Sequence, residues 1–320
     1  MTATDNSALP GRNTGHSLFR GPRSTPESRG RQLGAAMFLP ASAYVLAVIG
    51  LPFVMATIYA FSDIKVGSVG YHFVGLQNFR SIFQSASFVR SLINSIIFTV
   101  VSQIIVLVGS TFLALALEKK FRGRGLIRFL VLLPWVAPVS IGAIGWKWIL
   151  DSLYSVINWV LVRTPILHLD KFNPPQWLGE PALAMTSVIL VQSWRLLPFA
   201  TVILLAGLTA IPRDIPEAAE IDGAGFWRKM FQITIPMLLP ILNVAILFGI
   251  VFTFTDMTVV YILTRGGPYD TTQVIPSLAF FTGILGGDLA EGSAISLFMV
   301  PILVIVAYLM LRMAHRAEIT

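Results

Sequence analysis

Apolar residues in this chain run in long stretches separated by short polar segments, and the length of each stretch predicts its structure. A helix needs about 20 apolar residues to cross the hydrocarbon of a bilayer. Six stretches approach or exceed that length: 33–62, 91–117, 126–150, 181–211, 237–264 and 293–313. The pattern predicts an all-α integral membrane protein whose transmembrane domain covers 33–313. Pro40 and Pro52 predict kinks in the first span, and Pro134 and Pro138 in the third. Each ring removes a backbone donor and crowds the carbonyl four residues back.

The polar segments differ in character. Residues 1–32 are rich in Gly, Ser, Pro and Arg and predict a disordered tail. That tail lacks the apolar core and cleavage site of a signal peptide, so it is expected to be retained. Residues 314–320 form a second, short tail. Within 63–90, Phe79-Arg80-Ser81-Ile82-Phe83 predicts an interfacial amphipathic helix. Pro165, Pro174, Pro175 and Trp177 suggest a partly ordered cap over 151–180. Gly266-Gly267-Pro268 marks a turn. The apolar run 274–285 that follows is too short to span and reads as re-entrant or interfacial.

Composition agrees with the pattern and narrows the chemistry. The 320 residues are 55% hydrophobic and 12% charged, where a soluble domain would carry about a quarter charged residues. With 0 Cys there is neither a disulfide nor a thiolate metal site. His16, His72, His168 and His315 stand at no ligand spacing. The net charge of +7 would suit nucleic acid in a soluble protein, but in a membrane protein it belongs to cytoplasmic flanks. The segments 1–32, 118–128, 212–236 and the carboxyl end hold 15 of the 23 basic residues. Positive-inside bias therefore puts these segments, and both termini, in the cytosol.

The cytosolic loop 212–236 has the most structure in its sequence. Arg213 to Gly223 reads as a short helix, with Pro216 in its first turn, Asp214 as N-cap and Glu217 completing a capping box. Both acids suit the positive end of the helix dipole. Ala218 and Ala219 leave a smooth face, and Gly223 and Gly225 permit a reversal before Trp227 and Phe231 begin the return helix. On composition alone this is an ordinary loop with an interfacial helix.

Two charges fall near the middle of predicted spans, Arg195 in the fourth and Asp256 in the fifth. An isolated charge there costs roughly 2.5–3.5 kcal/mol or more, so each is expected to face protein or water. They read either as a structural ion pair or as a polar wall for a hydroxylated solute.

The spacing in the cytosolic loop goes further than composition. Glu217-Ala218-Ala219, three residues, Gly223, nine residues, then Ile233-Thr234-Ile235-Pro236 resembles the Glu-Ala-Ala … Gly … Ile-x-Leu-Pro loop of permease subunits of ATP-binding-cassette importers, with Ile235 in place of Leu. Other fragments resemble the carbohydrate branch, whose best-known member is the larger permease of the maltose importer. They are Phe73-Val74-Gly75-Leu76-Gln77-Asn78-Phe79, Leu133-Pro134-Trp135 with Pro138, Trp146-Lys147-Trp148, and Leu263-Thr264-Arg265-Gly266-Gly267-Pro268. The fragments fall in order over residues 35 to 312.

The resemblance implies a type I importer permease with six transmembrane helices, in the cytoplasmic (inner) membrane of a bacterium or archaeon. It implies a second homologous permease, an ATPase dimer and an extracytoplasmic solute-binding protein as partners. Glu217, Ala218, Ala219, Asp222 and Gly223 would contact the ATPase. This chain would bind no cofactor; ATP and Mg would sit on the partner ATPase, since no Walker-type sequence occurs here. The transported solute would be a carbohydrate. It would pass Leu196 and Phe199, beside Pro198, on the fourth span, and Thr253 and Asp256 on the fifth, where the family often carries an amide at Asp256. Arg195 could instead meet an anionic sugar or a glycerophosphate-type solute. From other classes, an ion-coupled secondary transporter would show inverted repeats and coupling-ion sites. A membrane enzyme would show a catalytic constellation. No convincing trace of either is present.

Overall fold

The computed structural model describes residues 26–164 and 174–319. Most of the expected amino-terminal tail and the middle of the expected cap lie outside the described residues. The chain divides into two units, up to Val54 and from Met55 onward. In the first unit α1 (Pro26–Val45) passes through a π-helical turn, Leu46–Gly50, into α2 (Leu51–Ala60), which continues into the second unit. The helix starts at Pro26, inside the segment expected to be tail. The π turn lets Leu51 N–H bond Leu46 O five residues back, which widens the coil just where Pro52 can give no N–H of its own. The large apolar side chains from Met37 to Val54 are exposed, as a lipid-facing helix requires.

The second unit continues with α3 (Gln77–Gln84), α4 (Ala86–Glu118), α5 (Arg124–Val136), α6 (Val139–Ile149) and α7 (Val156–Arg163). Then come α8 (Pro181–Ala210), α9 (Asp214–Ile221) and α10 (Phe226–Lys229). A π turn, Met230–Thr234, leads into α11 (Ile235–Phe254), followed by α12 (Thr258–Leu263) and α13 (Ile275–Phe280). A last π turn, Phe281–Leu285, precedes α14 (Leu289–Ile319). The helix expected around 79–83 is α3. The apolar run 274–285 forms α13 and its π turn, too short to span.

Among the described residues five helices are long and apolar enough to cross a membrane, and α5 with α6, bent by 96°, makes a sixth if counted as one span. The bend falls at Ala137-Pro138, where the backbone is extended. The kink expected from the two prolines is thus a break at nearly a right angle. The fifth span also departs from expectation: its helix runs from Phe226 through Phe254 and stops there, ten residues short of the predicted end.

α4 and α8 form the most extensive helix pair, with α11 packed against both. Small and polar residues are buried along both helices, and several of them lie in their contact: Ser193 Oγ donates to Ser102 O, Ala114 packs with Leu204 and Leu208, and Ala200 with Val106. Many bulky residues of α4, among them Ile93, Ile97, Val100, Ile104 and Val108, point outward. In a bilayer, burying Leu or Ile against another helix gains little over lipid, so close backbone approach does the packing. A Cβ on Gly207 would lie 2.7 Å from Ile241 Cδ1 and 2.8 Å from Leu238 Cδ2. Closer still, a Cβ on Gly292 of α14 would lie 2.4 Å from the Cα of Gly283.

Candidate functional site

Two helix breaks meet at one point of α8. The first separates α5 from α6 at 137–138, and the second separates α11 from α12 at 255–257. Around them is a half-open cavity of about 500 Å³ lined by Trp135, Val139, Arg195, Phe252, Thr255, Asp256, Met257 and Thr258. Irregular backbone at membrane depth survives only where protein covers it or water reaches it.

The wall has an aromatic part and a charged part. Trp135, at the end of α5, stacks on Phe199 of α8 with centroids 4.6 Å apart, and Phe252 of α11 lies 5.7 Å from Trp135. Phe199 and Phe252 meet edge to face at 5.5 Å. Beside them the Arg195 guanidinium forms an ion pair with Oδ2 of Asp256, and both side chains are nearly buried. The other carboxylate oxygen, Oδ1, accepts from Thr258 N–H at 2.5 Å and so ties Asp256 to the head of α12. Arg195 Nε is buried with no acceptor among the described residues.

Behind this wall a polar band crosses the three packed helices. Gln192 Nε2 donates to Thr253 Oγ1 at 3.5 Å, and Ser193 Oγ donates to Ser102 O at 3.4 Å. A buried hydroxyl with a partner costs little, whereas one without costs about 1–3 kcal/mol. Gln192 Oε1, Ser102 Oγ and both amide atoms of Gln103 are buried without a partner among the described residues.

The expected pathway residues fall in different places. Arg195 and Asp256 line the cavity. Phe199 stands directly behind Trp135. Thr253 does not line it: it is 1% exposed and faces Gln192. Three positions apart, Thr253 and Asp256 would share a helix face only if α11 continued past Phe254, and it does not, so Thr255 takes the position at the cavity. Leu196 is also displaced from the wall, being 1% exposed and packed with Val106, Ala200 and Phe252. Trp135, Val139, Thr255, Met257 and Thr258 were not anticipated as lining. Trp135 could have been found from Pro134 and Pro138, since a residue between two prolines sits where the helix opens.

The 212–236 loop is the second candidate element. α9 starts at Asp214, which is therefore its first helical residue and caps nothing; Arg213 stands before it without a side-chain bond. The expected Asp214–Glu217 capping box is absent for that reason. Pro216 remains within the first turn, where its missing N–H has no partner to lose. The helix ends through Gly223 at φ 76°, with Gly223 N–H on Glu220 O and Ala224 N–H on Ala219 O. Glu217, Ala218, Asp222 and Gly223 are exposed, but Ala219 is buried and turned toward its own chain. It is removed from any outward contact surface. Lys229 of α10 forms an ion pair with Glu220 of α9, and that hydrogen bond and charge hold the Glu220 carboxyl below its ordinary range. Phe226, Trp227 and Phe231 are exposed, with Trp227 stacked on Phe231 at 6.0 Å.

Residues 106–317 match the family model described as binding-protein-dependent transport system inner membrane component. The chain is 36% identical over 270 residues to the trehalose/maltose transport system permease protein MalF of Thermococcus litoralis, covering 84% of this chain and 89% of that one. It is 29% identical to the sulfoquinovosyl glycerol transport system permease protein SmoG of Agrobacterium fabrum, over 90% of this chain and 92% of that one. In fold it is similar to a chain from the crystal structure of a bacterial ABC transporter that imports the acidic polysaccharide alginate. That match has a TM-score of 0.77 at 21% identity, over 91% of this chain and 97% of the other. With two thirds of its length in one family model, and a relative above 30% identity over most of both chains, the chain belongs to the inner-membrane components of binding-protein-dependent transport systems, the non-catalytic permease subunits of ATP-binding-cassette transporters.

Proposed function

We propose that this permease carries a carbohydrate through the cavity at Arg195, and that α9 couples it to a separate ATPase dimer. The observation that carries this reading is the junction of two helix breaks at a cavity with one aromatic face and one polar face. A pyranose presents the same division: C–H faces suit Trp135, and ring hydroxyls suit Arg195, Thr255, Asp256 and Thr258. Relatives named for trehalose and maltose, diacetylchitobiose and sulfoquinovosyl glycerol support sugars as the class. An extracytoplasmic binding protein would deliver the solute, and a second permease would close the open side of the cavity.

The coupling part rests on α9. Glu217, Ala218, Asp222 and Gly223 offer a small, acidic, exposed face on the loop that the positive-inside bias assigns to the cytosol. ATP-driven closure of the partner would move α9, and α10 with α11 would pass that motion to the break at Asp256.

Gly223→Pro tests the coupling. Proline cannot adopt φ 76° and has no N–H for Glu220 O, so α9 loses its end geometry without any change inside the membrane. In proteoliposomes containing the full transporter, the variant is expected to insert normally and to lose ATP-driven uptake of labelled disaccharide. Normal uptake by this variant would sink the coupling role. Uptake by the unaltered transporter with its ATPase inactivated would instead favour an ion-coupled carrier.

A further inference from the structure

Arg195 and Asp256 carry the only charges among the residues that line the cavity, and the charges are opposite. Alone in such a place, an arginine recruits anions: its planar donors match carboxylate, sulfonate and phosphate oxygens. Here the guanidinium is already engaged. Asp256 is not placed to yield it, because Oδ1 is held by Thr258 N–H while Oδ2 meets Arg195. An anionic solute approaching the guanidinium would meet the carboxylate at nearly the same range, so attraction and repulsion cancel. A neutral polyol meets no such conflict. It can donate hydroxyl protons to the carboxylate lone pairs and accept from guanidinium N–H groups outside the pair.

We propose that Asp256 is the charge filter of this cavity: tethered to the head of α12, it keeps Arg195 neutralised, so the site accepts uncharged polyhydroxylated solutes and turns away acidic sugars. This rests on the carbohydrate reading above. It makes Asp256 a specificity determinant in addition to a structural partner.

The test uses the full transporter in nanodiscs without its binding protein, so that solute meets the membrane cavity alone. The probes are tritiated pairs: trehalose, maltose and cellobiose, each with the uronic acid made by oxidising one primary alcohol. In the unaltered protein the neutral member of a binding pair is expected to bind at least about tenfold tighter, a difference of about 1.4 kcal/mol. Asp256→Asn should erase or invert that ratio by raising acid binding. Arg195→Gln combined with Asp256→Asn should not raise it, because the gain needs the freed guanidinium. Equal binding of acid and neutral members to the unaltered protein overturns the filter, and so does an unchanged ratio in Asp256→Asn. The first of these needs no variant, so a substitution that prevents assembly does not shield the proposal. If no saccharide of either kind binds, the carbohydrate reading itself fails.

Discussion

Two ion pairs flank α11, and they differ in almost everything but their chemistry. Glu220–Lys229 lies before α11 in the polar loop, with the carboxylate 63% exposed. Arg195–Asp256 lies beyond its other end, with both side chains 13% exposed or less. Water screens the first pair and would hydrate either partner if the other were lost, so it acts as a brace on α9. The second pair has little water to fall back on, and each charge is tolerable there because the other is present. The same two functional groups thus set a loop angle at one end of a helix and make a membrane cavity electrically neutral at the other.

Breaking the buried pair is the most severe way to expose that difference. Arg195→Ala leaves a carboxylate uncompensated at membrane depth and is expected to cost about 3–5 kcal/mol of stability. Thermal unfolding of the detergent-solubilised transporter reads the loss. Arg195→Gln with Asp256→Asn removes both charges and should unfold at a higher temperature than Arg195→Ala. If the single variant is as stable as the double, the pair does not hold the two helices together.

A contact without charge gives the next largest effect. The Cβ of Gly292→Val would fall 2.4 Å from a backbone atom, Gly283 Cα, so no side-chain rotation can relieve it. α14 must move off the π turn at 281–285, at about 1–3 kcal/mol, again read by thermal unfolding. Trp135→Ala should come below it in energy. Removing the stacking face of the cavity is expected to weaken disaccharide binding in nanodiscs by roughly two- to tenfold, from aromatic contacts of about 0.5–1.5 kcal/mol.

The spans were legible because crossing a bilayer depends on run length, which a sequence displays directly. The helix breaks were legible only in part. Pro134 and Pro138 announced a disturbance in the third span, but a 96° turn depends on α6 packing against α12, a contact between distant parts of the chain. The end of α11 at Phe254 was not read at all, although Asp256 followed by Thr258 has the form of a helix start. That one omission moved Thr253 into the expected site and left Thr255 out. Leu196 was misplaced differently. Its spacing from Phe199 is helical, but the face it shares is covered by Val106, which no local pattern reveals. In the loop, the run Arg213 to Gly223 showed a helix, while the start of that helix at Asp214 removed the capping box.

The exposed pair is where the smallest effect belongs, and pH and salt are the means to find it. Lys229 lowers the Glu220 pKa below its ordinary value, by hydrogen bonding first and by charge second. A carboxyl lowered in the folded state contributes stability that is complete above its unfolded value, near 4.5, and that is lost as pH falls through the folded value. At pH 7 the brace is therefore fully formed, and acidification below pH 4.5 is what releases it. Salt weakens it at any pH, since the pair is open to solvent and the Debye length is only about 8 Å at 0.15 M. Glu220→Gln at pH 7 is expected to leave insertion and ATP hydrolysis in place while modestly lowering solute moved per ATP consumed. Glu220→Lys with Lys229→Glu, which restores the pair in reverse, should recover the ratio at low salt and less so at 1 M. A ratio unchanged by Glu220→Gln at low salt would mean that α9 takes its angle from Gly223 and the buried Ala219 alone, and that only the buried ion pair has a mechanical role.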